Sequence, residues 1–440
     1  MFAAPTMRIV HLTAGTGNFH CGNCHRDNDL MMALRAGGHD VTMVPLYLPL
    51  VTDGAAANPE LPVFAGGISL FLHQKMPFLR RLPRWLTGWM DSAPVLRKAA
   101  NFVSMTSPRQ LGEMTVESLR GIHGQQAQDW HQVIEWIQKT GKPDVFSLSN
   151  GLLTGLAVAA KRDLGVPVVC ALQGEDSFLD TLPEPWRTQS WDILRQNSQA
   201  VDRYIATSEY YLEVMRRRLG PGGGAEQMVC IRNGLNLRGY RRQADPPDPP
   251  VVGFLARQIA GKGLHTLVDA FILLARRMPN VRLSIAGSTL SSDRKFIKIQ
   301  QRKLKAAGIW DRVTWRHDLD FEEKVRHLQS LSVLSVPATY GEAFGLYILE
   351  ALACGVPVVE PEIDGPAEVV NATGGGLLCR PDDPASLADQ LERILTDHAL
   401  RQSLADAGHA AVTGEFSAAR MAREFAALCA EVASGAPPPD

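Results

Sequence analysis

Two carboxylates eight positions apart, Glu342 and Glu350, bracket a phenylalanine-glycine step in the run Glu342-Ala-Phe-Gly-Leu-Tyr-Ile-Leu-Glu350. Upstream, Leu331-Ser-Val-Leu-Ser-Val-Pro337 is short, apolar and β-rich. Downstream, Leu349 to Cys354 is a small-residue helical stretch closed by Gly355 and Pro357. The run therefore reads as a strand-to-helix turn. Phe344 and Gly345 open the helix and Leu346 enters its first turn, where backbone N–H groups lack intrahelical partners and can face a phosphate. Glu342 precedes that anion site and Glu350 lies about two turns inside the helix, so the two carboxylates can meet opposite ends of one elongated phosphorylated ligand. The spacing also suits an ordinary helix with one Glu near its positive end and another facing solvent.

Breaking a bond to a diphosphate leaves developing negative charge that a metal, or fixed cations and amides, must stabilise. Arg257 and Lys262 lie in Gly253-Phe-Leu-Ala-Arg-Gln-Ile-Ala-Gly-Lys-Gly263, where a strand end and a glycine turn can aim both cations at one anion. A metal is not expected. Asp318-Leu-Asp320 imitates a metal-binding pair, but Asp320 with Glu323 also makes a capping box for the helix that follows, which is a sufficient structural reason for it. Cys21-Gly-Asn-Cys24, flanked by His20 and His25, has no second cysteine pair or spaced histidines to complete a zinc site, so structural thiols are the favoured reading. The turn Ala14-Gly15-Thr16-Gly17 has His20 where the dinucleotide fingerprint needs glycine, which disfavours hydride transfer.

The elements that must hold these groups alternate strand and helix. Arg8 to Leu12, the Gly15 and Gly17 turn, a helix over Asp27 to Ala36 and a strand over Val41 to Val44 open the chain. The same order recurs after residue 250: strand Val251 to Leu255, a glycine turn, a helix over Leu264 to Met278, and strand Val281 to Ile285. That pattern predicts an α/β fold of parallel sheets with right-handed crossovers, and ligands at the carboxyl ends of the strands. Ala244-Asp-Pro-Pro-Asp-Pro-Pro250 is polar and proline-dense and reads as a semi-rigid linker. The expected division is an N-terminal domain over 1–243, with an insertion over about 53–125, the linker over 244–250, a C-terminal domain over 251–416, and a final helix and tail over 417–440.

The stretch from Val313 to Val370, with Pro337-Ala-Thr-Tyr-Gly-Glu342, Ala351-Leu-Ala-Cys-Gly-Val-Pro-Val-Val359 and Gly365-Pro-Ala-Glu368, resembles the retaining nucleotide-sugar glycosyltransferases of family 4. The resemblance covers most of the chain and carries the Glu-x7-Glu motif. It implies the GT-B fold, two Rossmann-like domains with parallel sheets facing across a cleft, and a last helix that crosses back to the first domain. It implies a nucleoside-diphosphate sugar as donor, with Arg257 and Lys262 on the diphosphate, Glu342 beside the transferred sugar and Glu350 on the ribose. It also implies backbone contacts from Phe344, Gly345, Leu346, Gly15 and Gly17. Asn233-Gly234 matches a family turn near the domain hinge. Arg26 and Asp27 look like subgroup sequence on the acceptor side. Gln173, in Leu172-Gln-Gly-Glu-Asp176, stands where the family commonly has a histidine facing the sugar; an amide can hydrogen-bond there but cannot act as acid or base. Two other readings stay open: a GT-B sugar-nucleotide epimerase, and a sugar-nucleotide-binding module without catalysis.

Composition agrees with small-molecule chemistry. At 440 residues the chain can hold two cores. Its 45 basic and 46 acidic residues give a net charge of −1, with no global field for nucleic acid. Seven cysteines, sparse and odd in number, argue for a reducing, cytoplasmic compartment. No secretory signal or apolar run of about 18 residues is seen. The partners expected are a nucleotide-sugar donor and a saccharide, lipid-linked or small-molecule acceptor, with no cofactor. Phe78 to Met90 mixes cations with aromatics and reads either as a packed insertion loop or as a peripheral contact with the inner face of an anionic membrane.

Overall fold

Short β-branched runs alternating with amphipathic helices form, in the computed structural model, two separate doubly wound parallel sheets. The structure describes residues 6–14, 22–46, 108–124, 127–243 and 245–435. The Gly15 and Gly17 turn, Cys21, the segment 78–90 and most of the expected insertion lie outside the described residues.

The first unit holds β1 (Arg8–Thr13), β2 (Asp40–Pro45), β3 (Val145–Leu148), β4 (Val168–Leu172), β5 (Arg203–Ala206) and β6 (Met228–Cys230) in the order β2-β1-β3-β4-β5-β6. Every pairing is parallel. Strand order reverses beside β1, so the crevice for a ligand falls at the ends of β1 and β3. Ile9, Val145, Val169 and Ile205 from the sheet pack with Leu30 and Leu34 of the helix Gly22–Ala36 and with Met421, Phe425 and Cys429 of the last helix, Ala418–Ala433. Each such side chain contributes roughly 1.5–3 kcal/mol when fully buried. The end of the expected insertion is integral to this unit. The helix Pro108–Arg120 buries Val116 and Leu119, and a Cβ on Gly155 would come within 2.4 Å of Leu119 O.

The second unit holds β7 (Val251–Leu255), β8 (Arg282–Ala286), β9 (Val313–Trp315), β10 (Val333–Leu334), β11 (Val358–Pro361) and β12 (Gly376–Cys379) in the order β12-β11-β10-β7-β8-β9. This is the dinucleotide-fold order, and its switch point lies between β7 and β10. The helix Leu264–Arg277 buries Leu264, Leu267, Val268, Phe271 and Leu274 against the sheet, as its spacing predicts.

The boundary expected at 244–250 is corrected. Chain from Asn233 to Arg420 belongs to the second unit, which also takes Ser208–Tyr211; the first unit ends at Arg232 and resumes at Met421. The reason is main-chain hydrogen bonding ahead of the prolines. Leu235 N–H donates to Phe416 O (2.8 Å), Ala418 N–H donates to Leu235 O (2.9 Å), and Gln243 N–H donates to Cys354 O (3.0 Å). Gly234 permits this close approach, since a Cβ there would lie 2.3 Å from Ser417 O. Residues 245–250, with all four prolines, are therefore a surface segment of the second unit.

Candidate functional site

At the switch point of the second unit, the turn after β7 and the loop after β10 are locked together. Thr339 N–H donates to Gly261 O (2.9 Å), and Gly263, at φ +70°, lies so near Pro337 that a Cβ would be 1.6 Å from its carbonyl oxygen. Only glycine fits there. This contact brings Lys262, in the single turn Ala260–Lys262, onto Glu342. The two form an ion pair, each side chain 17% exposed, and Tyr340 Oη donates to the same Glu342 oxygen at 3.2 Å. The ammonium also lies over the Tyr340 ring, 5.1 Å from its centroid. Burial alone would lower the Lys262 pKa, but the Glu342 carboxylate overrides it and holds the ammonium above its ordinary range, so the cation is permanent near neutrality. Tyr340 is pushed up to about 12 by burial and by Glu342, so it stays a neutral donor.

Arg257, just past β7, is held by both oxygens of Asp293, Nε to Oδ2 at 3.1 Å and the terminal nitrogen to Oδ1 at 3.0 Å. Burial works against ionisation of Asp293, yet the guanidinium keeps its carboxyl below the usual range. The fork is thereby pre-oriented.

The helix Leu346–Ala353 starts at Gly345, whose φ of +90° and ψ of 65° turn the chain into it. Glu350 consequently lies about one turn inside the helix, not two. Its Oε1 accepts from Tyr240 Oη (2.8 Å) and from Lys324 Nζ (2.7 Å). The Phe344 side chain is a core residue, its ring 6.4 Å from that of Phe416, so only its main chain can serve an anion. Asp320 caps the helix Phe321–Gln329 in the capping box with Glu323 that the spacing predicts.

In the first unit a second polar cluster stands at the switch point. Asp27 is fully buried, with Arg26 at 3.0 Å on one oxygen and His11 at 3.4 Å on the other. His11 meets Ser147 at 2.9 Å across the β1/β3 register. Gln173 follows β4 and spends both amide hydrogens inward, on Asp27 Oδ1 (3.3 Å) and Ser149 O (2.5 Å). By elimination its carbonyl oxygen is what remains for a ligand. Arg26 and Asp27, expected on the acceptor side, are buried supports for Gln173 in this geometry.

The partners of these groups were not singled out in the sequence. Tyr340 and Gly341 stand inside a quoted motif, but Asp293, Lys324 and Tyr240 carry no local signal, because only the fold brings them from 26 to 110 positions away. Among the described residues no helix is long and apolar enough to cross a membrane.

Comparison with known proteins divides the chain in two. The family "Glycosyl transferase 4-like domain" matches residues 28–234, and "Glycosyl transferases group 1" matches residues 240–410. Phosphatidyl-myo-inositol mannosyltransferase of Mycobacterium tuberculosis is 30% identical over 290 residues, 64% of this chain and 72% of its own. Glycogen synthase of the same species is 26% identical over 63% of this chain and 66% of its own length. D-inositol 3-phosphate glycosyltransferase of Corynebacterium urealyticum is 34% identical over 49% and 51%. The chain thus spans about two thirds of the second relative and half of the third. Among solved structures, sucrose-phosphate synthase from Thermosynechococcus elongatus matches with a TM-score of 0.70 and 20% identity over 98% of this chain and 100% of that one. Anabaena HepE, solved with UDP and glucose, matches with a TM-score of 0.62 and 17% identity over 96% and 99%. At these identities the structural likeness is one of fold.

Proposed function

Because the chain belongs to the GT-B glycosyltransferases, its halves matching the 4-like and group 1 parts of that family, we propose that it moves a hexose from a nucleoside-diphosphate sugar to an acceptor hydroxyl. The transfer is read as retaining, on the resemblance to family 4, and as metal-independent. The bond between the anomeric carbon and the diphosphate oxygen breaks, the bond to the acceptor oxygen forms, and the acceptor's proton leaves with the diphosphate.

The observation that carries this reading is the Lys262–Glu342 pair at the switch point of a dinucleotide-type sheet. A permanently charged ammonium and a pre-oriented guanidinium supply, without a metal, the fixed positive charge that a departing diphosphate needs. Glu342 then faces the electron-poor anomeric region, and Glu350 takes the ribose hydroxyls. Gln173 offers an acceptor to a sugar hydroxyl, with no proton transfer of its own. The donor nucleoside is read as uridine, because the similar Anabaena structure holds UDP. The acceptor is a saccharide, a lipid-linked or a small-molecule hydroxyl. The compartment is read as cytoplasmic; the six cysteines among the described residues are all free.

A thermal-shift panel of nucleotide sugars tests the donor, since a ligand at one hundred times its dissociation constant stabilises the native state by about 2.7 kcal/mol. The hit is then incubated with candidate acceptors, with and without EDTA. Nucleoside diphosphate released in step with glycosylated product, undiminished by chelation, supports the reading. A sugar nucleotide that is consumed and returned as its epimer overturns it.

A further inference from the structure

The strand β11, read as Val358-Val-Glu-Pro361, is buried along its whole length and yet carries a carboxyl, Glu360, at zero exposure. Among the described residues no lysine, arginine or histidine stands within ion-pair distance of it, and the nearby Lys262 is already paired with Glu342. Glu360 Oε1 accepts the Val336 N–H at 3.1 Å. Oε2 lies 3.1 Å from Tyr347 Oη, which in turn lies 3.4 Å from Val336 O.

An isolated buried carboxylate is among the costliest groups a protein can hold, and such a group takes up a proton instead. A proton on Oε2 also closes the local geometry. Val336 N–H donates to Oε1, Oε2–H donates to Tyr347 Oη, and Tyr347 O–H donates to Val336 O. Three donors meet three acceptors in a ring that begins and ends on one residue. In the ionised form the Tyr347 hydroxyl must turn to Oε2, which leaves a buried charge on two donors beside the Glu342 carboxylate.

We propose that Glu360 is kept as a neutral carboxylic acid and acts as a positioning residue, clamping the end of β10 to the first turn of the helix Leu346–Ala353. The loop strung between those two points carries Tyr340 and Glu342. Both its ends are therefore set by one buried proton, and Lys262 is left to a single carboxylate. The titratable groups facing Glu360 are Lys262 from the turn after β7, Glu342 from the loop, Tyr347 from the helix and Cys379 from β12. Burial, reinforced by Glu342, drives Glu360 well above the usual carboxyl range, against the opposing pull of Val336, Tyr347 and Lys262. The protonation claim does not depend on the proposed reaction; only the consequence for Glu342 does.

The test needs no substrate. Wild type, Glu360→Gln and Glu360→Leu are compared by infrared difference spectroscopy and by hydrogen exchange. Wild type at neutral pH should show a protonated-carboxyl C=O band that Glu360→Gln lacks. Glutamine keeps an acceptor for Val336 and a donor for Tyr347, so peptides over 336–347 should exchange as in wild type. Leucine should speed their exchange at least tenfold. A folded-state pKa raised above the unfolded value gives stability that is complete below about pH 4.3 and is lost as pH rises toward the folded value. Relative to Glu360→Gln, protection of β10 and β11 in wild type should therefore fall about tenfold per pH unit above pH 5. No band difference together with parallel pH profiles overturns the neutral acid. Loosening of 336–347 by glutamine as much as by leucine overturns the clamp, and if leucine fails to fold, the glutamine comparison still decides.

Discussion

Lys262 and Glu342 neutralise one another at the carboxyl ends of β7 and β10, on a turn and a loop that the Gly263–Pro337 contact holds together. A diphosphate arriving there must draw the ammonium away from the carboxylate. On the proposed reaction, donor binding and release of Glu342 toward the sugar are thus one event.

Glu342→Gln removes the competitor for Lys262 while keeping shape. Nucleoside-diphosphate affinity should hold or rise, whereas single-turnover transfer should fall by about 10²–10³, the cost of losing one preorganised electrostatic contact to the transition state. Rapid-quench measurement with the true donor, beside equilibrium binding, separates the two effects. Equal losses in both would contradict this assignment.

Glu350→Gln should behave differently, because the ribose belongs to donor and product alike. A lost charged hydrogen bond costs about 1.5–3 kcal/mol in both complexes. Lys324 and Tyr240 already hold this carboxylate, so Lys324→Met should weaken the same two ligands through misplacement of Glu350. Donor weakened without any change in diphosphate binding would move Glu350 off the ribose.

Replacing Gln173 by Ala should slow transfer by the value of one hydrogen bond, about 0.5–1.5 kcal/mol, and add no ionisation to the pH–rate profile. Its amide hydrogens are engaged by Asp27 and Ser149, so a change of several orders of magnitude would mean that the oxygen does more than accept.

His327 predicts an acid limit for the second unit. It is 2% exposed, between Phe254 O and Ser284 Oγ at 3.3 Å each, and burial, with Arg316 adding, lowers its pKa to about 4. A depressed folded-state value gives stability that is complete above about pH 6.5 and is lost as pH falls toward 4, about 3 kcal/mol in all. His327→Asn should flatten that decline in denaturation midpoints measured from pH 7 to 4. An unchanged slope would show that His327 is not the group responsible.

Much of this was legible in the sequence. The helical spacing from Leu264 to Leu274, the alternation of strands and helices, and the Asp320–Glu323 cap are local patterns, and local physics decides them. The domain boundary was misplaced because proline density marks a stiff surface segment, whereas the true crossing at Arg232 depends on Leu235 pairing with Phe416 and Ala418 from far along the chain. Arg257 and Lys262 stood out as cations at a glycine turn. Their carboxylate partners are a matter of tertiary contact, and no spacing announces that Glu360 in an apolar strand would face Tyr347.

Isothermal titration of wild type and Lys262→Met with UDP, at matched pH and salt, tests most directly whether the second unit's switch point is a diphosphate site. Binding in wild type and at least a tenfold weakening in Lys262→Met is the predicted outcome, with Glu342→Gln binding at least as tightly as wild type. Unchanged affinity in Lys262→Met would contradict the account at its centre.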